Sequence, residues 1–190
     1  MVALRLFLAL TLVTGLLYPL LATGLAHLLF SWKAEGSLLR RGGEVVGSAL
    51  LGQAFSSPRY FHPRPSATGG FPYNPMASGA SNLAPGNPEF AQAVAARARA
   101  YRAENGLPEG FPVPMDAVTA SASGLEPYIS PENARLQARR VAQARGLSEE
   151  AVLDLVRRHL EGRQFGLLGE PRVHVVLLNL ELDRLQGEGP

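Results

Sequence analysis

The sequence predicts a mixed α/β (α+β) soluble domain preceded by a single N-terminal transmembrane helix. Three observations carry that reading. Residues 6–30 hold no Asp, Glu, Lys or Arg. Apolar runs of strand character lie at 44–55 and 172–182, near both ends of the remaining chain. Between them, three segments open with helix-start signals.

A bilayer span needs about 20 apolar residues at about 1.5 Å rise each, so 6–30 crosses with some tilt. A cleaved secretory signal has an apolar core of only about 7–15 residues. Gly15 and Pro19 predict a kink. Gly15, Thr23 and Gly24 would let a neighbouring helix approach closely, and Trp32 stands where an interfacial aromatic belongs. Flanking charge is divided, with Arg5 before the span and Lys33, Arg40 and Arg41 after it. The short flank at 1–5 gives the run the form of an uncleaved signal anchor. Such an anchor would send one soluble domain, 31–190, to the outer side.

Within that domain, 44–55 reads as a strand on Val45 and Val46. Residues 56–88 are rich in Pro and Gly, which excludes regular helix and central strand. Tyr60, Phe61, Phe71 and Tyr73 fall in the same stretch, so it is expected to be an ordered loop packed on something. Asn87-Pro88-Glu89 starts a helix that runs to about Glu104 and stops at Asn105-Gly106. Ser130-Pro131-Glu132 starts a second, ended by Gly146. Ser148 caps a third, with Val152, Leu155, Val156, His159 and Leu160 on one face. Residues 172–182, apolar on both faces, read as a buried central strand.

The 190 residues carry 18 Lys+Arg and 16 Asp+Glu, a formal charge of only +2. That near-balance gives no electrostatic footprint for nucleic acid. Charged residues are 18% and hydrophobic ones 46%, which excludes a disordered chain. Cysteine is absent, so thiolate catalysis, disulfides and zinc–thiolate sites are excluded. No nucleophile elbow, zincin, Walker A or dinucleotide fingerprint occurs. His27, His62, His159 and His174 are scattered without metal-ligand spacing, and His159 reads as a core histidine. Ser121 or Ser123 as a nucleophile lacks a base; the loop around them reads instead as hydroxyl-bonded turns feeding the Ser130 cap. Arg135, Arg139, Arg140, Arg145, Arg157 and Arg158 read as a solvated basic surface. Gln137 borders the apolar side made by Ala134, Ala138 and Val141, so its amide must find partners.

A family likeness runs through these residues. It starts with Thr14-Gly15, Tyr18-Pro19, the run from Ala34 to Leu38, Val46-Gly47-Ser48 and Leu51-Gly52-Gln53. It continues with Tyr60-Phe61, the run from Arg64 to Ala67, Tyr73-Asn74, Ser78-Gly79 and Ser81-Asn82-Leu83. It ends with the run from Thr119 to Leu125, Gln137, Arg140-Val141-Ala142, Ala144-Arg145-Gly146 and Gly169-Glu170. In this order and spacing the chain resembles the C-subunit family of the Kdp potassium-importing P-type ATPases. The likeness extends from the span to Asn179-Leu180. Departures are Glu35 and His174, where Asn is usual, and Glu126, where Asp is usual.

The resemblance implies an accessory subunit with one span in the cell (inner) membrane and no catalytic or metal site of its own. Its implied partners are a channel-like potassium-binding subunit, an ATP-hydrolysing P-type subunit and a small membrane peptide. It further implies a structural or catalytic chaperone that raises ATP affinity, with Gln137 at nucleotide shared with the pump subunit. A second picture of the family sets the soluble domain outside, beside the potassium entrance. The residues themselves favour a structural role for Gln137, since no Gly-rich cradle adjoins it. Subunit-contact candidates are Gly15, Tyr18, Pro19, Tyr60, Phe61, Arg64, Tyr73, Asn82, Ser121 and Ser123. The alternative reading is a stand-alone membrane-anchored extracytoplasmic enzyme or ligand-binding domain.

Overall fold

The computed structural model describes residues 1–187, in two compact units that divide after Ser48. The first unit is a long apolar helix and a hairpin. Helix α1 (Val2–Leu12) runs through a π-helical turn, Val13–Leu17, into α2 (Tyr18–Ala34). Pro19 has no N–H, and its ring would crowd the carbonyl four residues back, at Gly15. The wide turn accommodates both in front of the proline. This helix is long and apolar enough to cross a membrane, and none of its residues is buried within the chain. Strands β1 (Leu38–Arg41) and β2 (Glu44–Ser48) pair antiparallel. Gly42 and Gly43 take positive φ at their turn, the geometry that matches strand twist in tight hairpins.

The second unit is mixed helix and sheet, as the sequence predicts. Its elements are α3 (Pro88–Asn105), α4 (Met115–Val118), β3 (Tyr128–Ile129), α5 (Pro131–Arg145), α6 (Glu149–Arg158), β4 (Leu160–Glu161), β5 (Arg172–His174) and α7 (Val175–Leu185). The sheet is antiparallel in the order β3-β5-β4. The expected caps form. Asn87 accepts from Glu89 N, Ser130 from Asn133 N and Ser148 from Ala151 N. Gly106 and Gly146 end α3 and α5 in the left-handed region. The core packs Ala134, Ala138 and Val141 of α5 on Val152 and Leu155 of α6 and on Val175, Leu178 and Leu182 of α7, with Phe61 and Val173 among them.

Four expectations are corrected. The strand expected over 44–55 stops at Ser48. Farther on, a Cβ at Gly52 would lie 2.3 Å from Tyr73 Cε1 and 2.8 Å from Glu126 O, a close approach only glycine allows. The strand expected over 172–182 ends at His174 and continues as α7. Val175, Leu178, Asn179, Leu182 and Asp183 are buried, which is helical period 3.6. The β-branched start masked it. His159 is half-buried at the end of α6 and bonds Leu155 O through Nδ1 at 3.0 Å, and Leu160 is exposed. Finally, Arg140 and Arg145 are buried rather than part of a solvated surface.

Candidate functional site

Those two arginines build the most organised feature of the second unit. Residues Pro58 to His62 have no regular structure, yet their carbonyls are held one after another by side chains. Arg140 Nη1 donates to Pro58 O at 2.8 Å and to Tyr60 O at 3.0 Å. Arg145 Nε donates to Arg59 O at 2.6 Å. Asn179 Nδ2 donates to Phe61 O and Asn179 Oδ1 accepts from Phe61 N, both at 2.9 Å. Gln137 Nε2 donates to His62 O at 3.0 Å and Gln137 Oε1 accepts from His62 N at 2.7 Å. Two buried amides from different helices thus clamp consecutive peptide units, and the Phe61 ring, fully buried, anchors the segment in the core.

The clamping side chains are themselves held. Gln137 Nε2 also donates to Asn133 Oδ1 at 2.8 Å, and its Oε1 accepts from Arg140 Nη2 at 2.7 Å. An amide has two donors and two acceptor lone pairs, so Gln137 is saturated within the chain. Arg145 Nη2 pairs with Asp183 Oδ1 at 2.8 Å, and its guanidinium lies over the Tyr60 ring at 4.8 Å. Tyr60 OH donates to Asp183 Oδ2 at 3.3 Å; burial and that carboxylate push the phenol up. His62 presents Nδ1 to Glu104 at 2.7 Å and Nε2 to Ser57 O at 3.0 Å. The hydrogen bond from His62 holds the Glu104 carboxyl below its ordinary range.

A second layer joins the loop to the Ser/Thr-rich segment. Arg64 Nη1 pairs with Glu126 at 2.9 Å, and Tyr73 OH donates to Arg64 O at 2.5 Å. Burial raises the Tyr73 phenol well above its ordinary value. Ser121 Oγ accepts from Gly124 N at 3.0 Å and Ser123 Oγ from Leu125 N at 3.1 Å. These hydroxyls serve turns, as expected. Asn82 is exposed at φ 52°. Gly15, Tyr18 and Pro19 lie on the apolar helix, and a Cβ at Gly15 would meet nothing within 4 Å. Among the described residues nothing packs on that bare surface.

A cleft of about 420 Å³ lies between Arg64, Asp116, Glu126, Tyr128, Glu170 and Arg172. Three carboxylates line it. Asp116 occupies the N-terminus of α5, accepting from Ser130 N at 2.7 Å, Ser130 Oγ at 2.9 Å and Asn133 Nδ2 at 3.0 Å. An anion arriving there would meet a carboxylate where a phosphate site offers free N–H groups. Among the described residues no group of three His, Cys, Asp or Glu is placed to hold a metal. Sequence reasoning missed Asn133, Arg140, Arg145, Asn179 and Asp183. The available signal was their spacing: 133 and 137, and 179 and 183, are four apart on faces otherwise apolar.

Comparison with known proteins spans the same residues. The family model described as K+-transporting ATPase, c chain, matches residues 1–184. The chain is 59% identical over 182 residues to the Potassium-transporting ATPase KdpC subunit of Sorangium cellulosum, covering 95% of each. To the protein of the same description from Methylibium petroleiphilum it is 58% identical over 181 residues, covering 95% of this chain and 94% of that one. To that from Myxococcus xanthus it is 54% identical over 189 residues, covering 99% and 89%.

Proposed function

The chain belongs to the KdpC family of K+-transporting ATPase c chains, and from that premise we propose that it is a membrane-anchored accessory subunit that acts by assembly and not by holding nucleotide. In this reading α1 and α2 cross the cell membrane, and the bare surface at Gly15 packs on a helix of a membrane-embedded partner. The partners are a potassium-binding subunit, an ATP-hydrolysing subunit and a small membrane peptide. The second unit lies on the outer side and braces the assembly. Any effect on ATP affinity travels through subunit contact.

The observation that carries this is the saturation of Gln137. Its four hydrogen-bonding positions are spent on His62, Asn133 and Arg140, which leaves nothing for a base or a phosphate. Gln137 then needs no contact with cytoplasmic ATP. The test uses the tagged full-length chain purified from membranes. It should bring down a large membrane ATPase. In that complex Gln137→Ala leaves buried partners unpaired, at about 1–3 kcal/mol. Melting of the second unit should drop, while the ATP concentration for half-maximal turnover stays within about twofold. A shifted ATP dependence with unchanged melting and assembly would overturn the reading in favour of direct nucleotide contact.

A further inference from the structure

Between β4 and β5 the chain forms a hairpin, residues 160–172, that the braced loop does not involve. Its tip is apolar and bare: Phe165 is 93% exposed, Leu167 80% and Leu168 61%. The tip is nevertheless built. Gln164 N donates to Leu168 O at 2.9 Å and Leu168 N to Gln164 O at 3.0 Å, closing the turn. Phe165 sits at φ 54°, a left-handed conformation that is strained for a bulky side chain. Gly would relieve that strain, so the presence of Phe is not explained by the turn.

We infer that this hairpin is a docking arm whose tip, Phe165 with Leu167 and Leu168, seats in an apolar pocket on a partner subunit of the pump. The inference rests on the reading of the chain as an assembled subunit. Charge selects a protein over a lipid surface. The hairpin carries Arg163 and Arg172 against Glu161 and Glu170. Arg163 pairs with Glu170 at 2.7 Å and Arg172 with Glu161 at 3.0 Å. Elements that lie on anionic bilayers carry a surplus of Lys and Arg around their apolar face. Here the surplus is zero and the cations are already paired. A bare Phe flanked by leucines inside a self-neutralised polar collar matches the apolar centre and polar rim of a protein interface, and it needs no charge from its partner.

The test is partner retention by the tagged full-length chain during detergent washing. Phe165→Gly should lower retention about tenfold or more while the melting temperature of the free chain stays level or rises, because strain is removed. Leu167→Ser with Leu168→Ser should lower retention with unchanged melting. Retention equal to wild type in both variants would overturn the inference. So would quenching of Phe165→Trp, beyond that of Trp32 alone, by brominated phosphatidylcholine in nanodiscs holding the chain by itself. That result would assign the tip to lipid. A purified chain that is dimeric and becomes monomeric on Phe165→Gly would assign it to a second copy. A wild-type chain that retains no pump subunit would overturn the underlying reading as well, a result distinct from selective loss in the tip variants.

Discussion

Residues Pro58 to His62 and the hairpin tip around Phe165 are both irregular, and they use their groups in opposite directions. In the first, helix side chains answer the backbone carbonyls, and Phe61 goes inward. In the second, the backbone answers itself across Gln164 and Leu168, and Phe165 goes outward. A loop whose carbonyls are met by side chains from α5 and α7 becomes part of the core, and its polar residues are consumed. A loop that closes its own hydrogen bonds leaves its side chains available to something else.

The comparison is most exposed at Arg145. Its side chain is fully buried and that of Asp183 nearly so. Arg145→Met keeps much of the volume but leaves the carboxylate buried beside Tyr60. Breaking such a pair costs about 3–5 kcal/mol. Denaturant unfolding of the full-length chain in detergent should show a loss of that size. Leu168→Ser on the hairpin should stay within about 0.5 kcal/mol, as exposed sites do. If Arg145→Met costs under about 1 kcal/mol, the cradle does not hold the loop.

A smaller effect separates the two regions by glycine. Gly124, in the Ser/Thr-rich segment, has φ 68°, and a Cβ there would meet Thr68 Cγ2 at 2.6 Å and Gly79 O at 2.9 Å. Gly169, in the hairpin, has φ 78° and open space around it. Ala at either site takes on left-handed strain of about 1–2 kcal/mol. Only Gly124→Ala adds a clash with backbone, so its unfolding midpoint should fall below that of Gly169→Ala. Equal midpoints would mean that Thr68 and Gly79, packed on Gly124, give way as readily as the open space beside Gly169.

How far the sequence discloses this architecture depends on where each signal resides. Asn87, Ser130 and Ser148 announce their helices because a cap bonds within three residues of itself. The apolar helix is legible from composition alone. Gln137 is legible as a buried amide because its neighbours at 134, 138 and 141 fix the buried face. The rest depends on partners distant in the chain. Arg140 looks like a surface cation until Pro58 and Tyr60 are brought to it, and Arg145 until Asp183 arrives on α7. Reading 172–182 as strand stops short of Asp183 and hides the helix that buries it with Asn179, and with them half the cradle. The hairpin tip escaped notice because the sequence gives Phe165 no direction; its exposure follows from the turn closed by Gln164 and Leu168.

The last difference lies on β5, which both regions share. Val173 pairs with Leu160 at the base of the hairpin, while His174 caps α7, which carries Asn179 and Asp183. His174 Nε2 donates to Ala49 O at 2.8 Å and Nδ1 accepts from Leu177 N at 3.3 Å, so the buried ring is the neutral tautomer. Burial pushes it below its ordinary value. The Ala49 bond and Glu161 oppose the shift, and His159 adds to it. Tyr128 meets the ring edge-on at 4.8 Å. The unfolded chain takes up this proton near its ordinary value of 6.5 and the folded chain only at lower pH, so between the two the unfolded state binds more protons. The contribution is complete above about pH 6.5 and is lost as pH falls toward the folded value, at up to about 1.4 kcal/mol per pH unit. Glu104, held below the ordinary carboxylate range, contributes its own loss only at more acidic pH. His174→Asn keeps a capping acceptor and removes the proton. Its unfolding free energy should therefore vary less between about pH 7 and 5.5 than that of the wild type. In the wild type, the protection factors of the Phe61 and His62 amides should fall over that range while that of Leu168 stays constant. A parallel loss of protection at Leu168 would show that the hairpin and the cradle loosen as one unit.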